Sequence, residues 1–239
     1  MATELTDGVW WFDLRSVNAY LVEDDGSVAL IDVGTPFSRR RLVRALDEVG
    51  YVPDNVDRVL ITHYDFDHVG GFGRLTLDAD VYAGAPDAPL VAGDRTPRRL
   101  SRKRLFQRAT GPLLTAPDSP VHAVKDGDSV GSFTVYHTPG HTPGHVCYVS
   151  EKLSVAFLGD LVRESDGRLE PSPWALSDDT DQVRASIRRL AEELSDIDVA
   201  AIGHGVPFRK GGSERLHELA DRLEDAENTA DRDKQKSAD

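Results

Sequence analysis

The segment Thr62-His63-Tyr64-Asp65-Phe66-Asp67-His68-Val69-Gly70-Gly71 constrains this chain more than any other. Two imidazoles and two carboxylates fall within six residues, directly after the apolar run Val59-Leu60-Ile61. Packing does not explain a strand that ends in four metal-competent side chains, whereas borderline and harder divalent metals take these nitrogen and oxygen ligands. The glycines that follow let the backbone turn closely around whatever the side chains hold. Three further candidate ligands also follow strand-like runs. His141 lies in Thr138-Pro139-Gly140-His141-Thr142-Pro143-Gly144-His145, Asp160 ends Val155-Ala156-Phe157-Leu158-Gly159, and His204 sits between two glycines after Val199-Ala200-Ala201-Ile202. Strand ends that feed short polar loops are where an α/β scaffold places chemistry.

At 239 residues the chain can bury one large core. No apolar run approaches the ~20 residues needed to span a bilayer. The N-terminus has neither a basic n-region nor an apolar h-region, so a cytosolic location is expected. Cys147 is the single cysteine, which excludes an intramolecular disulfide and reads as a small buried apolar side chain. The net charge is -13, with 29 Asp against 12 Glu and 22 Arg against 6 Lys. Such an acidic surface argues against a general nucleic-acid role. Abundant Asp with scarce Lys resembles the composition of proteins from salt-loving archaea.

Val9 to Asp13, Ala19 to Glu23 and Val28 to Asp32 read as short strands. A helix opens at Pro36-Phe37-Ser38 and runs through Val49, with Leu42, Val43, Leu46 and Val49 at helical spacing. Val56 to Ile61 is a strand leading into the metal-competent run, Asp67 to Phe72 begins a short helix, and Asp80 to Ala83 is another strand. Val121 to Val124, Phe133 to His137, His145 to Ser150 and Leu153 to Leu158 continue the strands. Asp179 to Leu194 is a helix with Ser177 or Asp178 as N-cap. Val199 to Ile202 is the last strand, and a final helix starts at Gly212-Ser213. One domain over residues 1–224 is expected, followed by a frayed polar tail over 225–239. Residues 86–117 break the pattern and include the basic run from Arg95 to Arg108. That insertion reads as a solvated helix balancing nearby acids, or as a lid, a dimer contact or a patch for anionic substrates.

The ordered set of these residues resembles the metallo-β-lactamase superfamily of metal-dependent hydrolases, from about Val17 to about Pro207. Asn18-Ala19-Tyr20-Leu21-Val22 and Ile31-Asp32-Val33-Gly34-Thr35-Pro36 resemble the family's opening strands, and His63 to His68 resembles its HxHxDH box. The box here reads HxDxDH, because Asp65 stands where the family has His. The resemblance implies an α+β fold, an αββα sandwich of two mixed β-sheets packed face to face with helices outside. It implies two divalent metal ions, zinc first, with iron or manganese as alternatives. His63, Asp65 and His141 would take the first ion, Asp67, His68 and His204 the second, and Asp160 would bridge them. Asp67 and Asp160 are the residues given catalytic roles.

A carboxylate at position 65 shifts metal preference towards iron or manganese; if it points past the metal, one ion is bound. Asp32 is a candidate acceptor that orients a ligand histidine, and His145 reads as structural. His122, His137 and His217 read as non-ligands. The implied reaction is hydrolysis of a small ester, thioester or lactone, as in the glyoxalase II-like and lactonase-like branches. The implied partner is a small molecule, with an anionic substrate as one option, and neither nucleic acid nor membrane; a homodimer is an option. Two alternatives remain. One is a diiron redox enzyme similar to the flavodiiron core, which carries a carboxylate at the place of Asp65 but here lacks a flavodoxin domain. The other is a non-enzymatic, metal-binding relic of the fold.

Overall fold

The computed structural model describes residues 1–75, 77–96 and 102–238. Two mixed sheets carry the fold. The first has the order β1 (Ala2–Thr6), β2 (Val9–Asp13), β3 (Asn18–Asp24), β4 (Ser27–Ile31), β5 (Arg58–Ile61), β6 (Asp80–Gly84) and β7 (Val121–Val124). Its first four strands run antiparallel as hairpins. From β4 onwards the neighbours are parallel, and parallel neighbours need crossover connections. Helix α1 (Arg39–Glu48) crosses between β4 and β5. Between β5 and β6 lies the short helix α2 (Phe66–Val69), and between β6 and β7 lie α3 (Ala88–Val91) and α4 (Arg102–Thr110). The expected insertion at 86–117 is thus the crossover that joins two parallel strands.

The second sheet has the order β14 (Val199–Ile202), β11 (Val155–Gly159), β10 (Val146–Ser150), β9 (Phe133–His137) and β8 (Ser129–Val130). Only its β11–β14 pair is parallel, joined through the hairpin β12 (Val162–Ser165) and β13 (Arg168–Pro171) and helix α5 (Thr180–Glu193). Helix α6 (Gly212–Ala238) closes the described chain.

Side-chain alternation explains the layering. Successive strand residues point to opposite faces. Along β11, Val155 and Phe157 join Tyr20, Val22, Ile31 and Leu60 in the apolar layer between the sheets. Ala156 and Leu158 point the other way, against Val183, Ile187 and Leu190 of α5 and Leu216 and Leu219 of α6. On the first sheet, Leu21 and Leu30 meet Leu42, Ala45 and Leu46 of α1. Every residue of β10 and β11 is buried, as expected of strands covered on both faces. The architecture is the expected αββα sandwich.

Helix α5 starts one residue later than the sequence suggests. Asp179 is its N-cap, and its Oδ1 accepts from the backbone N–H groups of Asp181 and Gln182, both at 3.0 Å. Four short strands, β1, β8, β12 and β13, were not foreseen. The last helix also continues to Ala238 rather than fraying near Asp225. Glu224, Ala226, Glu227, Lys234 and Gln235 are good helix formers, so a polar composition there does not end the helix. No helix among the described residues is long and apolar enough to cross a membrane.

Candidate metal centre

The site lies where the ends of strands from both sheets meet. The chain leaves β5 at Ile61, and Thr62 leads into His63. Asp65 is extended at the N-terminus of α2, which carries Asp67 and His68. This segment is held down at both ends. The Val33 N–H donates to the His68 carbonyl at 2.9 Å, and the Gly71 N–H donates to the Gly34 carbonyl at 3.0 Å. A Cβ at Gly71 would overlap the Val33 carbonyl, so glycine is required at that close approach. Asp87 fastens the segment to the second sheet. Its buried carboxylate accepts from the Tyr64 N–H at 2.9 Å, the Thr142 hydroxyl at 2.6 Å and the Gly144 N–H at 3.2 Å. His141 follows β9, Asp160 follows β11, and His204 follows β14.

All seven expected ligands come together. His63, Asp65 and His141 form one trio, Asp67, His68 and His204 another, and His63, His68 and Asp160 a third. Within each trio the ligand atoms lie within 4.8 Å of one another. Asp160 stands in the middle. Its Oδ1 is 3.4 Å from His68 Nε2, and its Oδ2 is 3.2 Å from His204 Nε2 and 3.5 Å from His141 Nε2. Asp67 Oδ2 is 3.5 Å from His204 Nε2.

Hydrogen bonds behind the rings set their tautomers. His68 donates from Nδ1 to Asp32 Oδ2 at 2.7 Å. The Thr62 hydroxyl donates to the same oxygen at 2.8 Å and therefore accepts from His63 Nδ1 at 3.0 Å. His204 donates from Nδ1 to the Ser16 carbonyl at 2.7 Å. In each case Nε2 is left with its lone pair directed into the cluster, the arrangement found at metal-ligating histidines. His145 differs. Its Nε2 accepts from the Asp160 N–H at 3.1 Å and its Nδ1 meets the Thr138 hydroxyl at 2.8 Å, so both nitrogens are occupied. His122, His137 and His217 lie outside all three trios.

These residues fit a divalent cation. Among the described residues, His63 Nε2, His68 Nε2 and Asp160 Oδ1 are buried without any hydrogen-bond partner. Orphaned polar atoms of this kind cost about 1–3 kcal/mol each unless something compensates them. Burial, aided by the nearby His68 charge, holds the His63 imidazole well below its ordinary range, so it is neutral and available. Burial alone would also depress His68, but the carboxylates of Asp32 and Asp160 outweigh it and raise the ring well above the ordinary value. A cation at Nε2 satisfies the same field that favours a proton there.

One trio holds something the sequence did not reveal. Lys103, on α4, is buried, and its ammonium donates to Asp65 Oδ2 at 2.6 Å, His141 Nε2 at 2.6 Å and the Leu176 carbonyl at 2.9 Å. Gln107, one turn further along α4, donates from Nε2 to Asp65 Oδ1 and to the Tyr64 carbonyl, both at 2.6 Å. Burial would raise the Asp65 carboxyl, but Lys103, with His141 and His63, holds it well below the usual carboxylate range. Arg104 is also internal, its Nε donating to Asp178 at 2.9 Å. Two basic residues of the run, Lys103 and Arg104, are thus turned inward to pair with acids, while Arg95 and Arg108 are exposed. Its residues 97–101 lie outside the described residues. Lys103 was visible only as part of that run, and neither its spacing nor its neighbours marked it out.

Comparison with known proteins agrees with this geometry. A protein of Bacillus subtilis (strain 168) named "Probable metallo-hydrolase YflN" is 27% identical over 246 residues, covering 92% of each chain. A hydroxyacylglutathione hydrolase of Methylobacterium nodulans is 33% identical over 133 residues, but this covers 55% of the present chain and 43% of that protein. The solved structure of TTHA1623 in a di-iron-bound form superimposes with a TM-score of 0.62 at 31% identity, covering 84% of this chain and 93% of that one. Residues 12–204 match the family described as the metallo-beta-lactamase superfamily, and this chain belongs to it.

Proposed function

We propose that this protein is a metal-dependent hydrolase of a small ester, thioester or lactone. The observation that carries this reading is the pair of buried, unpartnered atoms His68 Nε2 and Asp160 Oδ1, 3.4 Å apart, with Asp67 and His204 beside them. Asp67, His68, His204 and Asp160 would hold the cation. Zinc suits this mixture of imidazole and carboxylate, with iron or manganese as the alternatives that a carboxylate-rich set admits. A bound divalent ion supplies Lewis acidity towards the scissile group and lowers the pKa of water at the site. The chain's own part is orientation: Asp32 fixes His68, and the Ser16 carbonyl fixes His204.

Acyl chemistry is favoured by likeness to a hydroxyacylglutathione hydrolase over about half of this chain. Apolar side chains next to the site also favour it. Val206, two residues after His204, is 58% exposed, and Leu176, whose carbonyl holds Lys103, is equally so. Phe37 is 68% exposed, with its ring 6.3 Å from that of Phe66 beside Asp65. Such a rim suits a substrate with an apolar portion more than a nucleic acid. The acidic chain and the inward-turned Lys103 and Arg104 also give little support to attraction of anions.

The test is a panel of acyl esters, thioesters, lactones and β-lactams, assayed with zinc-loaded protein, chelated protein and the His68→Ala variant. Turnover of at least one class, lost on chelation and in the variant, is expected. Metal-loaded protein that hydrolyses none would leave the metal-binding relic. The relative solved in a di-iron-bound form supports iron as a candidate metal, and the di-iron redox reading is the alternative that iron would open. Visible absorbance from an iron centre in aerobically purified protein would favour it over hydrolysis.

A further inference from the structure

The family's first metal position shares its ligands with an ammonium group. We propose that Lys103 stands in for the first metal ion, so that the chain binds one divalent cation where its ligand list suggests two. This rests on the metal-centre reading above but makes a separate claim about stoichiometry.

The valences decide it. An ammonium has three N–H donors and no acceptor. Lys103 uses all three, on Asp65 Oδ2, His141 Nε2 and the Leu176 carbonyl, at 2.6, 2.6 and 2.9 Å. An imidazole nitrogen has one in-plane lone pair. His141 Nε2 cannot accept from Lys103 and ligate a metal with that same pair. Because an ammonium can only donate, the 2.6 Å contact to Lys103 requires Nε2 to be the acceptor, although Asp65 Oδ2 also lies 3.0 Å from it; Nδ1 then carries the proton, and the Ser172 hydroxyl at 2.8 Å can accept it. Asp65 is equally engaged, with Oδ2 on Lys103 and Oδ1 on Gln107. Two of the three ligands of the first trio are therefore occupied. His63 keeps a free Nε2, but it also belongs to the trio with His68 and Asp160, on the side of the retained position.

Charge leads to the same conclusion. Asp65, Asp67 and Asp160 bring three negative charges to the cluster. Lys103 supplies Asp65 with a counter-charge at 2.6 Å, the role a cation would have there, and a second cation beside that buried ammonium would face like-charge repulsion away from water. The departure of the box from HxHxDH then has a partner. A histidine at position 65 would leave Lys103 buried without a counter-charge. Asp65 and Lys103 act as one ion pair, brought together by the crossover between β6 and β7.

The experiment is metal analysis of the full-length protein after equilibration with excess zinc and removal of free ion. It is paired with a Co2+ titration of chelated protein followed by visible absorbance. The variants are Lys103→Met, which keeps the stem's packing, and Lys103→Ala, each checked for native circular dichroism. One metal per wild-type chain and two per variant chain are expected, with the cobalt endpoint moving from one equivalent to two. Two metals in the wild type, or no gain in either folded variant, would overturn the proposal. A wild type without metal beside variants that bind one would overturn the one-ion stoichiometry proposed here and end the hydrolase reading as well.

Discussion

Asp32 Oδ2 accepts the Nδ1–H of His68 at 2.7 Å while its own backbone lies in the left-handed region, at φ 58°. That conformation is unfavourable for most L-residues and best tolerated by Asn and Asp. The strain is outweighed because one carboxylate organises three groups: the Thr62 N–H at 2.9 Å, the Thr62 hydroxyl at 2.8 Å and the His68 ring. Thr62 in turn orients His63.

Asp32→Asn keeps the backbone preference and removes the charge behind His68. Metal affinity should fall by about 10- to 100-fold, the usual loss when the partner of a ligand histidine is changed. Competition against a chromophoric chelator measures it. Unchanged affinity would show that Asp32 holds only the turn.

Gly203 touches the site without being a ligand. A Cβ at this position would overlap Asp160 Oδ1 and crowd His68 Cε1. Gly203→Ala should therefore weaken metal binding by about tenfold or more by displacing the carboxylate, in line with the precision that metal ligands require. The protein should remain folded, with the loss visible in the same competition assay. Equal affinity in the two proteins would mean that the Asp160 carboxylate moves aside without consequence.

Cys147 is buried on β10, and burial pushes its thiol up to about 12 despite the Thr138 hydroxyl. The thiolate is the reactive form, so a disulfide dye should not label native protein at pH 8, yet should label it fully in denaturant. The sign of the pH effect follows from linkage. A raised folded-state pKa stabilises the protein below the unfolded value, near 9, and that contribution fades as pH climbs from about 9 to 12. The fall in Tm between pH 8 and 11 should be smaller in Cys147→Ala than in the wild type. A parallel fall in both would contradict the assignment.

Asp179 caps α5, and the backbone N–H of Gln182, with further bonds to the Gln182 side chain and the Asp181 N–H, holds its carboxyl below the usual range. Asp179→Ala should cost about 1 kcal/mol, read as a lower urea midpoint with unchanged slope. Because the folded pKa is depressed, the wild-type advantage should persist at neutral pH and shrink as pH falls through the acidic range. An advantage that grew in acid would rule this out.

The sequence exposed what is local and hid what is not. The seven candidate ligands could be read because each follows an apolar run at a strand end, and side-chain chemistry there is conspicuous. Long alternating or fully buried runs such as Val146 to Ser150 and Val155 to Gly159 also announced themselves. The hairpin Val162–Ser165 with Arg168–Pro171 did not, because Val162 and Leu169 are its only buried apolar residues. Lys103, Gln107 and Asp87 were beyond reach for another reason. Lys103 meets Asp65 and His141 across 38 residues in each direction, and Leu176 across 73. A lysine in a basic helix looks the same whether it faces water or a carboxylate. Only the path of the β6–β7 crossover decides between them.

The ligands also say something about how the chain is held closed. Asp67 and His68 belong to the first sheet's connections, Asp160 and His204 to the second sheet's, and the chain between His68 and Asp160 contains no cysteine other than Cys147. A single ion bound by all four, as proposed, would tie the two halves of the polypeptide together, as a disulfide would in an oxidising compartment. Closing a loop of ~100 residues in this way removes unfolded-state entropy worth about 5 kcal/mol in the chain-entropy account. Under the proposed function the cation would be a fastener as well as a reagent, giving a protein with one thiol a reversible cross-link whose strength follows the supply of metal.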